Sequence, residues 1–291
     1  MNMDFKSARE LLELCKEHQL PISEVMRQRE CLLGETTRDE VDRRMATAWD
    51  IMKTSATQPL EKPVKSMGGL IGGEAKKLEA HRRENKSICG DLLQKAMTYA
   101  MAVLEVNASM GLIVAAPTAG SAGVVPGLLL ALQEYNQIPQ QRMIDGLFNA
   151  GAVGYLAMRN ATVAGAVGGC QAEVGVAAAM AASAAVELMG GTPDQCLGAS
   201  STVLMNMLGL VCDPVGGLVE YPCQNRNAAG VANALIAAEM SLSGIRQLIP
   251  FDQMLEAMFA VGRRLPAELR ETALGGCAAT SAACAACGVC H

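Results

Sequence analysis

Aromatic and charged residues are both scarce in this sequence. Aromatic side chains make up 3% of its 291 residues and charged side chains 18%, whereas 51% of the residues are hydrophobic. So high an apolar fraction excludes a disordered chain and is typical of a globular protein. Because few aromatic rings are available, Ala, Val, Leu and 18 Met must fill the interior. Side chains of this kind favour helices that approach one another closely.

A basic excess and an export signal are missing as well. The net charge is −5, so the sequence predicts no nucleic-acid-binding surface. The N-terminal stretch MNMDFKSARELLELCKEH is charged throughout and has no apolar core of a secretory signal, which predicts a cytoplasmic location. Residues 106–133 are uncharged and long enough to cross a bilayer, but Pro117 and Pro126 interrupt them. We therefore predict a buried loop and helix there, and no association with a membrane.

Strand alternation and the spacing of βαβ units are also missing, and helical signals take their place. Ser7-x-x-Glu10 and Thr37-x-x-Glu40 have the form of capping boxes that begin helices. After the second box, a stripe of apolar residues recurs at helical spacing. The stripe consists of Val41, Met45, Trp49 and Met52. A proline-marked connection is expected at residues 57–65.

The sequence therefore predicts an all-α protein, a single large helical domain with glycine-rich loops at helix N-termini. We divide the chain into an N-terminal helical segment at residues 1–60, a main domain at residues 61–276 and a cysteine-rich tail at residues 277–291. The first segment and the main domain are expected to form one fold.

Two glycine-rich stretches suit the binding of a carboxylate. Residues 66–73 read SMGGLIGG, and residues 117–123 read PTAGSAG. Exposed N–H groups and the helix dipole attract anions at a helix N-terminus. The alternative is that such loops are tight packing turns. The candidate donors are Ser66, Gly68, Gly69, Thr118, Gly120 and Ser121.

The chain contains eleven cysteines, which point to a metal site or catalysis when no export signal is present. The alternative for several of them is a small buried apolar side chain. Cys170, Cys212 and Cys223 each lie in a glycine-rich, charge-poor stretch. Their spacing is neither that of a compact ferredoxin nor that of paired zinc ligands. It suits a site assembled from separate loops.

Four motifs resemble the α-chain of bacterial iron–sulfur L-serine dehydratases. In order along the chain they are SMGGLIGGEAKK, NASMGLIVAAPTAGSAGVVPG, GGCQAEVGVA and CDPVGGLVEYPCQNRNA. The resemblance implies a helical chain in which residues 61–276 are an iron–sulfur catalytic domain. It implies a [4Fe–4S] cluster on Cys170, Cys212 and Cys223. It also implies deamination of L-serine to pyruvate and ammonia without pyridoxal phosphate.

The resemblance extends to the C-terminal tail. Some members of the family fold the tail back so that a cysteine next to the terminus caps the iron that substrate would occupy. By position this is Cys290, whereas Cys277, Cys284 and Cys287 have no place in that pattern. The alternative is a tail with a purely structural role.

Water loss from serine also requires a base and a group that holds the carboxylate. His81 and Lys76 are the candidate catalytic residues, with Glu173 as a rival, although a histidine on a charged helix can simply be solvated. Asn225 and Arg226 lie two and three residues after Cys223, so both are candidates for substrate binding. Arg226 would pair with a carboxylate in bidentate fashion, or would instead hold a neighbouring loop.

The length of the chain indicates whether a second polypeptide is needed. Single-chain members of the family carry an additional domain, for which this chain has no room, so we expect a separate β-chain. Two other functions stay open at this point. One is an iron–sulfur L-cysteine desulfidase, which acts on a thiol instead of a hydroxyl. The other is a non-catalytic iron–sulfur redox sensor whose tail cysteines carry the cluster.

Overall fold

The computed structural model describes residues 3–287, and within them the protein is helical. No strand occurs in this part of the chain, where Cys212 and Arg270 form an isolated β-bridge. The all-α prediction is confirmed. The α-helices are α1 Ala8–His18, α2 Ile22–Leu33, α3 Arg38–Glu61, α4 Glu74–Arg83, α5 Gly90–Ala108, α6 Val124–Asn136, α7 Gln140–Asn160, α8 Gly165–Gly168, α9 Cys170–Leu188, α10 Pro193–Asn206, α11 Cys223–Leu242, α12 Phe251–Gly262 and α13 Ser281–Cys287. Short 3₁₀ turns lie at Val215–Gly217, Ala267–Leu269 and Gly276–Ala279.

The predicted helix starts are those of α1 and α3. The Ser7 hydroxyl accepts a hydrogen bond from the N–H of Glu10, and the Thr37 hydroxyl accepts one from Glu40. Helix α3 runs on through Pro59 to Glu61, so the expected proline-marked connection begins later than predicted. Pro59 lies in the last turn of the helix and is buried. Its ring therefore contributes to packing where the loss of one backbone hydrogen bond costs little.

Helix α9 is the centre of the fold. Of its nineteen residues, only Glu173 is not buried. The helix is rich in alanine, and α6, α7, α10 and α11 pack around it. A helix that is apolar on every side belongs in a core, and methyl-sized side chains let several neighbours approach it closely. This arrangement explains how a chain with few aromatic residues fills its interior.

Helices α5 and α6 approach each other equally closely. A Cβ atom on Gly127 of α6 would lie 2.8 Å from the backbone N of Ala100 and 2.8 Å from the O of Ala96. Glycine is therefore required at this contact. The contact fixes the start of α6 against α5, and the loop at residues 117–123 leads directly into it.

The N-terminal helices are joined to the main domain by a buried arginine. Arg27 of α2 is 2% exposed. It pairs with Asp42 of α3 at 2.7 Å and with Asp145 of α7 at 2.5 Å. Helix α3 also packs against α5. Buried charges of this kind are stable only when fully paired, and here the pairs connect three helices.

None of the helices within residues 3–287 is both long and apolar enough to cross a membrane. The uncharged stretch at residues 106–133 is divided between the end of α5, a loop and most of α6. Helices α9 and α11 pack together, and each begins at one of the predicted ligand cysteines.

Candidate metal and substrate site

Cys170 and Cys212 lie together with a carboxylate. Cys170 begins α9, and Glu173 follows it one turn later. The two Sγ atoms and a carboxylate oxygen of Glu173 all lie within 4.8 Å of one another. Cys170 is 1% and Cys212 2% exposed. Two thiols and a carboxylate at this separation are a donor set suited to a metal.

The C-terminal segment holds the backbone of Cys212. The N–H of Cys212 donates to the carbonyl of Leu269 at 2.9 Å, and the N–H of Glu271 donates to the carbonyl of Cys212 at 2.6 Å. These bonds fix a residue that lies in neither an α-helix nor a 3₁₀ turn. The two thiols therefore meet because a loop and a helix N-terminus are each anchored separately.

The thiols are electrostatically unequal. The hydrogen bond with Cys212 lowers the pKa of Cys170, and the nearby guanidinium of Arg226 lowers it further. The same hydrogen bond, together with burial, raises the pKa of Cys212. Cys170 also lies at the N-terminus of a long helix, which favours a thiolate. Cys170 is accordingly the thiol that ionises first.

Cys223, the third predicted ligand, begins α11 and is 6% exposed. Burial raises the pKa of its thiol to about 12, and the negative charges of Cys170 and Glu173 raise it as well. Its thiol is not part of the group whose donor atoms lie within 4.8 Å of one another. The structure therefore places Cys223 beside that group but not inside it.

Glu173 connects the thiols to the loop at residues 117–123. The Thr118 hydroxyl lies 2.5 Å from the Oε1 atom of Glu173, to which it donates, and 3.0 Å from the Ser121 hydroxyl. Burial raises the pKa of Glu173, and the negative charge of Glu271 adds to this effect. A Cβ atom on Gly120 would lie 2.6 Å from the same Oε1 atom. Glycine at this position lets the loop backbone reach the carboxylate.

The loop at residues 117–123 contains backbone donors without acceptors. Among the described residues, the N–H groups of Thr118, Ala119, Gly120 and Ser121 have no hydrogen-bond acceptor. Gly120 and Ser121 are buried. Buried N–H groups are almost always paired in folded proteins. These donors are therefore suited to an anionic ligand, for instance a carboxylate.

In the loop at residues 66–73 the donors are already in use. Each backbone N–H from Ser66 to Gly72 donates to an acceptor within the protein. Glu220 receives the largest share. Its carboxylate accepts from the Ser66 hydroxyl at 2.7 Å and from the N–H groups of Gly68 at 2.6 Å and Leu70 at 2.9 Å. The anion-binding loop expected from the sequence thus holds an anion of the chain itself.

The family model described as serine dehydratase alpha chain matches residues 17–278. The chain belongs to the serine dehydratase alpha chain family. It is 50% identical over 276 residues to a probable L-serine dehydratase, alpha chain, of Bacillus subtilis (strain 168), covering 95% of this chain and 92% of that protein. It is 44% identical over 272 residues to the L-serine dehydratase, alpha chain, of Peptoniphilus asaccharolyticus, covering 94% and 93%.

Longer relatives exist as well. The chain is 38% identical over 283 residues to an L-serine dehydratase of Helicobacter pylori (strain ATCC 700392 / 26695). That match covers 95% of this chain but 62% of the relative. More than a third of the longer protein therefore lies outside the match.

The two predicted catalytic residues are not members of the group formed by Cys170, Glu173 and Cys212. His81 and Lys76 are both exposed on α4. Lys76 donates to the carbonyl of Glu61 at 3.3 Å. Asn225 is exposed on α11, and its side chain makes no hydrogen bond to the described residues.

Arg226 lies beside the thiols but is engaged with the protein. Its Nη1 atom lies 2.7 Å from the Oδ1 atom of Asp213 and donates to the carbonyl of Val211 at 3.0 Å. The other oxygen of Asp213 accepts from the N–H of Cys277 at 2.6 Å. The geometry favours the second alternative given for Arg226, in which it holds a neighbouring loop.

Asp213 and Glu220 were not among the predicted functional residues. Asp213 follows Cys212 directly, and Glu220 precedes Cys223 by three residues. An acid between two candidate ligands in a charge-poor loop was the available signal. Of the tail cysteines, Cys287 lies against Gly216, whereas Cys290 lies outside the described residues.

Proposed function

We propose that this chain is the catalytic chain of a [4Fe–4S]-dependent L-serine ammonia-lyase that converts L-serine to pyruvate and ammonia. One observation carries the proposal. The donor atoms of Cys170, Cys212 and Glu173 lie within 4.8 Å of one another, next to a loop with unpaired amides. The names of the relatives, all L-serine dehydratases or their alpha chains, support the same reaction.

Cys170, Cys212 and Cys223 would hold the cluster. Thiols are the donors that iron–sulfur clusters require, all three side chains are buried, and the lowered pKa of Cys170 favours the thiolate form that binds iron. When bound, a cluster with three protein ligands supplies a Lewis-acidic iron that activates the substrate hydroxyl as a leaving group. The residues present fit this group, and no pyridoxal phosphate is invoked.

The loop at residues 117–123 would hold the substrate carboxylate. Gly120 and Ser121 offer buried N–H groups that no part of the described chain occupies. Thr118 adds a hydroxyl that already points to Glu173. Backbone amides at a helix start stabilise an anion through hydrogen bonds and the helix dipole. This arrangement would place the carboxylate beside Glu173.

Glu173 would accept the α-proton. A base must lie within hydrogen-bond reach of the proton that it removes, and Glu173 is the ionisable side chain that lies between the thiols and the free amides. Loss of water from serine leaves an enamine, which tautomerises and hydrolyses to pyruvate and ammonia without further catalytic groups. His81 and Lys76 remain predictions for this role, although both are exposed on another helix.

A separate β-chain would complete the enzyme. The relatives that match along most of their length are named alpha chains. The longer relatives are named without a chain designation and extend well beyond the match. We infer that the unmatched part of those proteins corresponds to a second polypeptide that assembles with this chain.

The test is visible absorption of anaerobically reconstituted protein, with and without L-serine. We expect an iron–sulfur band that shifts on addition of L-serine, and pyruvate formation. Cys212→Ala should abolish both the band and turnover, whereas Cys89→Ala, at an exposed thiol, should keep both.

The sensor alternative predicts the reverse dependence on the tail. If deletion of residues 284–291 abolished the band and Cys212→Ala did not, the lyase proposal would be wrong. A band that appeared in the wild type but never responded to L-serine, even with a β-chain present, would also contradict it.

A further inference from the structure

Glu220 is a buried carboxylate whose partners are mostly backbone amides. It is 2% exposed. Its Oε1 atom accepts from the N–H of Gly68, and its Oε2 atom accepts from the Ser66 hydroxyl and the N–H of Leu70. All three donors lie 150 or more residues away in sequence. A buried carboxylate that accepts several such bonds fixes its donors firmly, because its removal would leave each of them unpaired.

The start of α4, which follows this loop, is linked to α11, the helix that begins at Cys223. The N–H of Ala75, in the first turn of α4, donates to the Oε1 atom of Glu105 at 2.9 Å. The Gln224 side chain reaches the same oxygen at 3.3 Å. Gln224 also donates its backbone N–H to the carbonyl of Glu220 at 2.9 Å. The loop is therefore bonded directly to Glu220, three residues before Cys223, and the helix start that follows the loop is linked through Glu105 to Gln224, the residue after Cys223.

The loop also packs tightly against the segment that carries Glu220. Leu218 lies directly against Gly68, where a Cβ atom would collide with it. The N–H of Met67 donates to the carbonyl of Ala108 at the end of α5, at 2.9 Å. Hydrogen bonds and side-chain contact together leave no open donor on this loop for a ligand.

We propose that Glu220 is a positioning residue that sets the glycine-rich loop against Cys223. In consequence, the substrate carboxylate binds to residues 118–121 and not to residues 66–73. This inference rests on the proposed function, because it divides the two candidate carboxylate loops between binding and support. Ser66, Gly68 and Gly69 are then parts of the support. Thr118, Gly120 and Ser121 are the residues left to hold substrate.

The first experiment measures hydrogen–deuterium exchange in Glu220→Gln, with Glu239→Gln as the matched control on the exposed side of α11. Gly68 and Leu70 donate to different oxygens of Glu220. The glutamine amide keeps one of these acceptors and replaces the other with an NH2 donor, so one of the two N–H groups loses its acceptor. We therefore expect the peptide covering residues 66–73 to exchange at least about tenfold faster. Helix α9 and the visible cluster band should be unchanged. Glu239→Gln should resemble the wild type throughout.

Kinetics separate positioning from a purely structural role. In Glu220→Gln, kcat for L-serine should fall by about 10- to 100-fold, because small displacements of reacting groups are costly. The KM should stay within about twofold of the wild type, since the other loop holds the carboxylate. An unchanged kcat, with or without faster exchange, would overturn the proposal.

A second variant covers a failure of Glu220→Gln to fold. Ser66→Ala removes one of the three donors to Glu220 and leaves the carboxylate in place, but it also removes the hydroxyl that accepts from the N–H of Ile71. Exchange is therefore compared at Gly68 and Leu70, where we expect about a third of the Glu220→Gln effect or less, with a correspondingly smaller fall in kcat. If Ser66→Ala also left exchange at Gly68 and Leu70 and kcat unchanged, Glu220 would not be a positioning residue.

A ligand experiment tests the division between the loops in the wild type. L-alanine has the carboxylate and ammonium groups of the substrate but no hydroxyl to lose, so it serves as an unreactive probe. It should slow exchange in the peptide covering residues 117–123 and leave residues 66–73 unchanged. Slower exchange at residues 66–73 alone would overturn the proposal. If the wild type did not turn over L-serine, the proposed function would fail on its own, because the exchange experiment on Glu220→Gln would still decide whether Glu220 positions residues 66–73.

Discussion

The two glycine-rich loops, residues 66–73 and 117–123, look alike in sequence and differ in structure. Both precede a helix, and each donates to an acid that is three residues from a candidate ligand cysteine, Glu220 or Glu173. In the first, which we call the filled loop, the carboxylate of Glu220 accepts from the N–H groups of Gly68 and Leu70. The second is the open loop. In the second, Asn227 accepts from the N–H of Gly123 and donates to the carbonyl of Gly120. The N–H groups of residues 118–121 are left without an acceptor in the described chain. Whether a glycine-rich loop binds a ligand therefore depends on what the rest of the chain has already placed in it.

The largest effect on activity is expected from a substitution that adds a methyl group inside the open loop, residues 117–123. In Gly120→Ala, the new methyl group would lie 2.6 Å from Oε1 of Glu173 and 3.2 Å from Val219. The loop or the carboxylate must move, so kcat/KM for L-serine should fall by about 100-fold or more.

The control for that variant is Gly151→Ala in α7, where a Cβ atom meets nothing within 4 Å. Alanine favours a helix over glycine by about 1 kcal/mol, so this variant should keep full activity and unfold at a slightly higher temperature. A Gly120→Ala protein with normal kcat/KM would show that the open loop does not receive substrate.

A smaller effect is expected from Thr118→Val, which removes a hydroxyl and keeps the shape of the side chain. The carboxylate of Glu173 would lose the donor that now lies at 2.5 Å. We expect kcat/KM to fall by about tenfold, in line with the loss of one hydrogen bond to a charged group. Steady-state kinetics at fixed pH measure this, and Thr98→Val serves as a comparison because that buried hydroxyl only bonds within α5.

In the filled loop, we expect substitutions to affect stability more than KM. Gly72 has φ +150 and its added Cβ would lie 2.6 Å from the carbonyl oxygen of Val64. Gly72→Ala should lower the free energy of unfolding by about 2 to 4 kcal/mol, from backbone strain plus collision. Gly244→Ala has comparable strain, with φ +89, but no atom within 4 Å, and should cost about 1 kcal/mol. Chemical denaturation of both variants measures the difference, and equal losses would contradict this account.

The smallest effect is expected at the end of the filled loop. Glu74 caps the N–H of Gly72 at 2.6 Å from the first turn of α4. Glu74→Gln keeps an acceptor but loses the favourable charge at the helix start, so the cost should be below about 1 kcal/mol. A thermal melt that moved as far as that of Gly72→Ala would mean that charge, not packing, holds this loop.

The parts of the molecule that local sequence specifies were predicted well. Alanine-rich stretches and the capping residues Ser7 and Thr37 determine helices through contacts within a few residues, and the all-α prediction is confirmed. Glycine-rich surroundings likewise singled out Cys170 and Cys212, whose thiols meet in the structure. Glu173 was considered only as a rival base, although helical spacing places it one turn beyond Cys170.

The remaining features depend on contacts between distant residues. Nothing near Ser66 in the sequence indicates that Glu220 will occupy its loop, since that bond joins residues 154 apart. Arg226 was predicted for substrate binding because it follows closely on Cys223. Its actual partner, Asp213, is thirteen residues earlier, and that pairing depends on how the intervening loop folds. Local patterns predict which groups are available for binding, and only the tertiary fold decides which of them are already in use.

Asp213 divides its two carboxylate oxygens between two parts of the protein. One oxygen faces the guanidinium of Arg226, whose charge lowers the pKa of Cys170, and the other accepts the N–H of Cys277. The C-terminal segment is therefore not an independent appendage. A displacement of that segment would change how strongly Asp213 offsets the positive charge of Arg226, and with it the proton affinity of a thiol in a different helix.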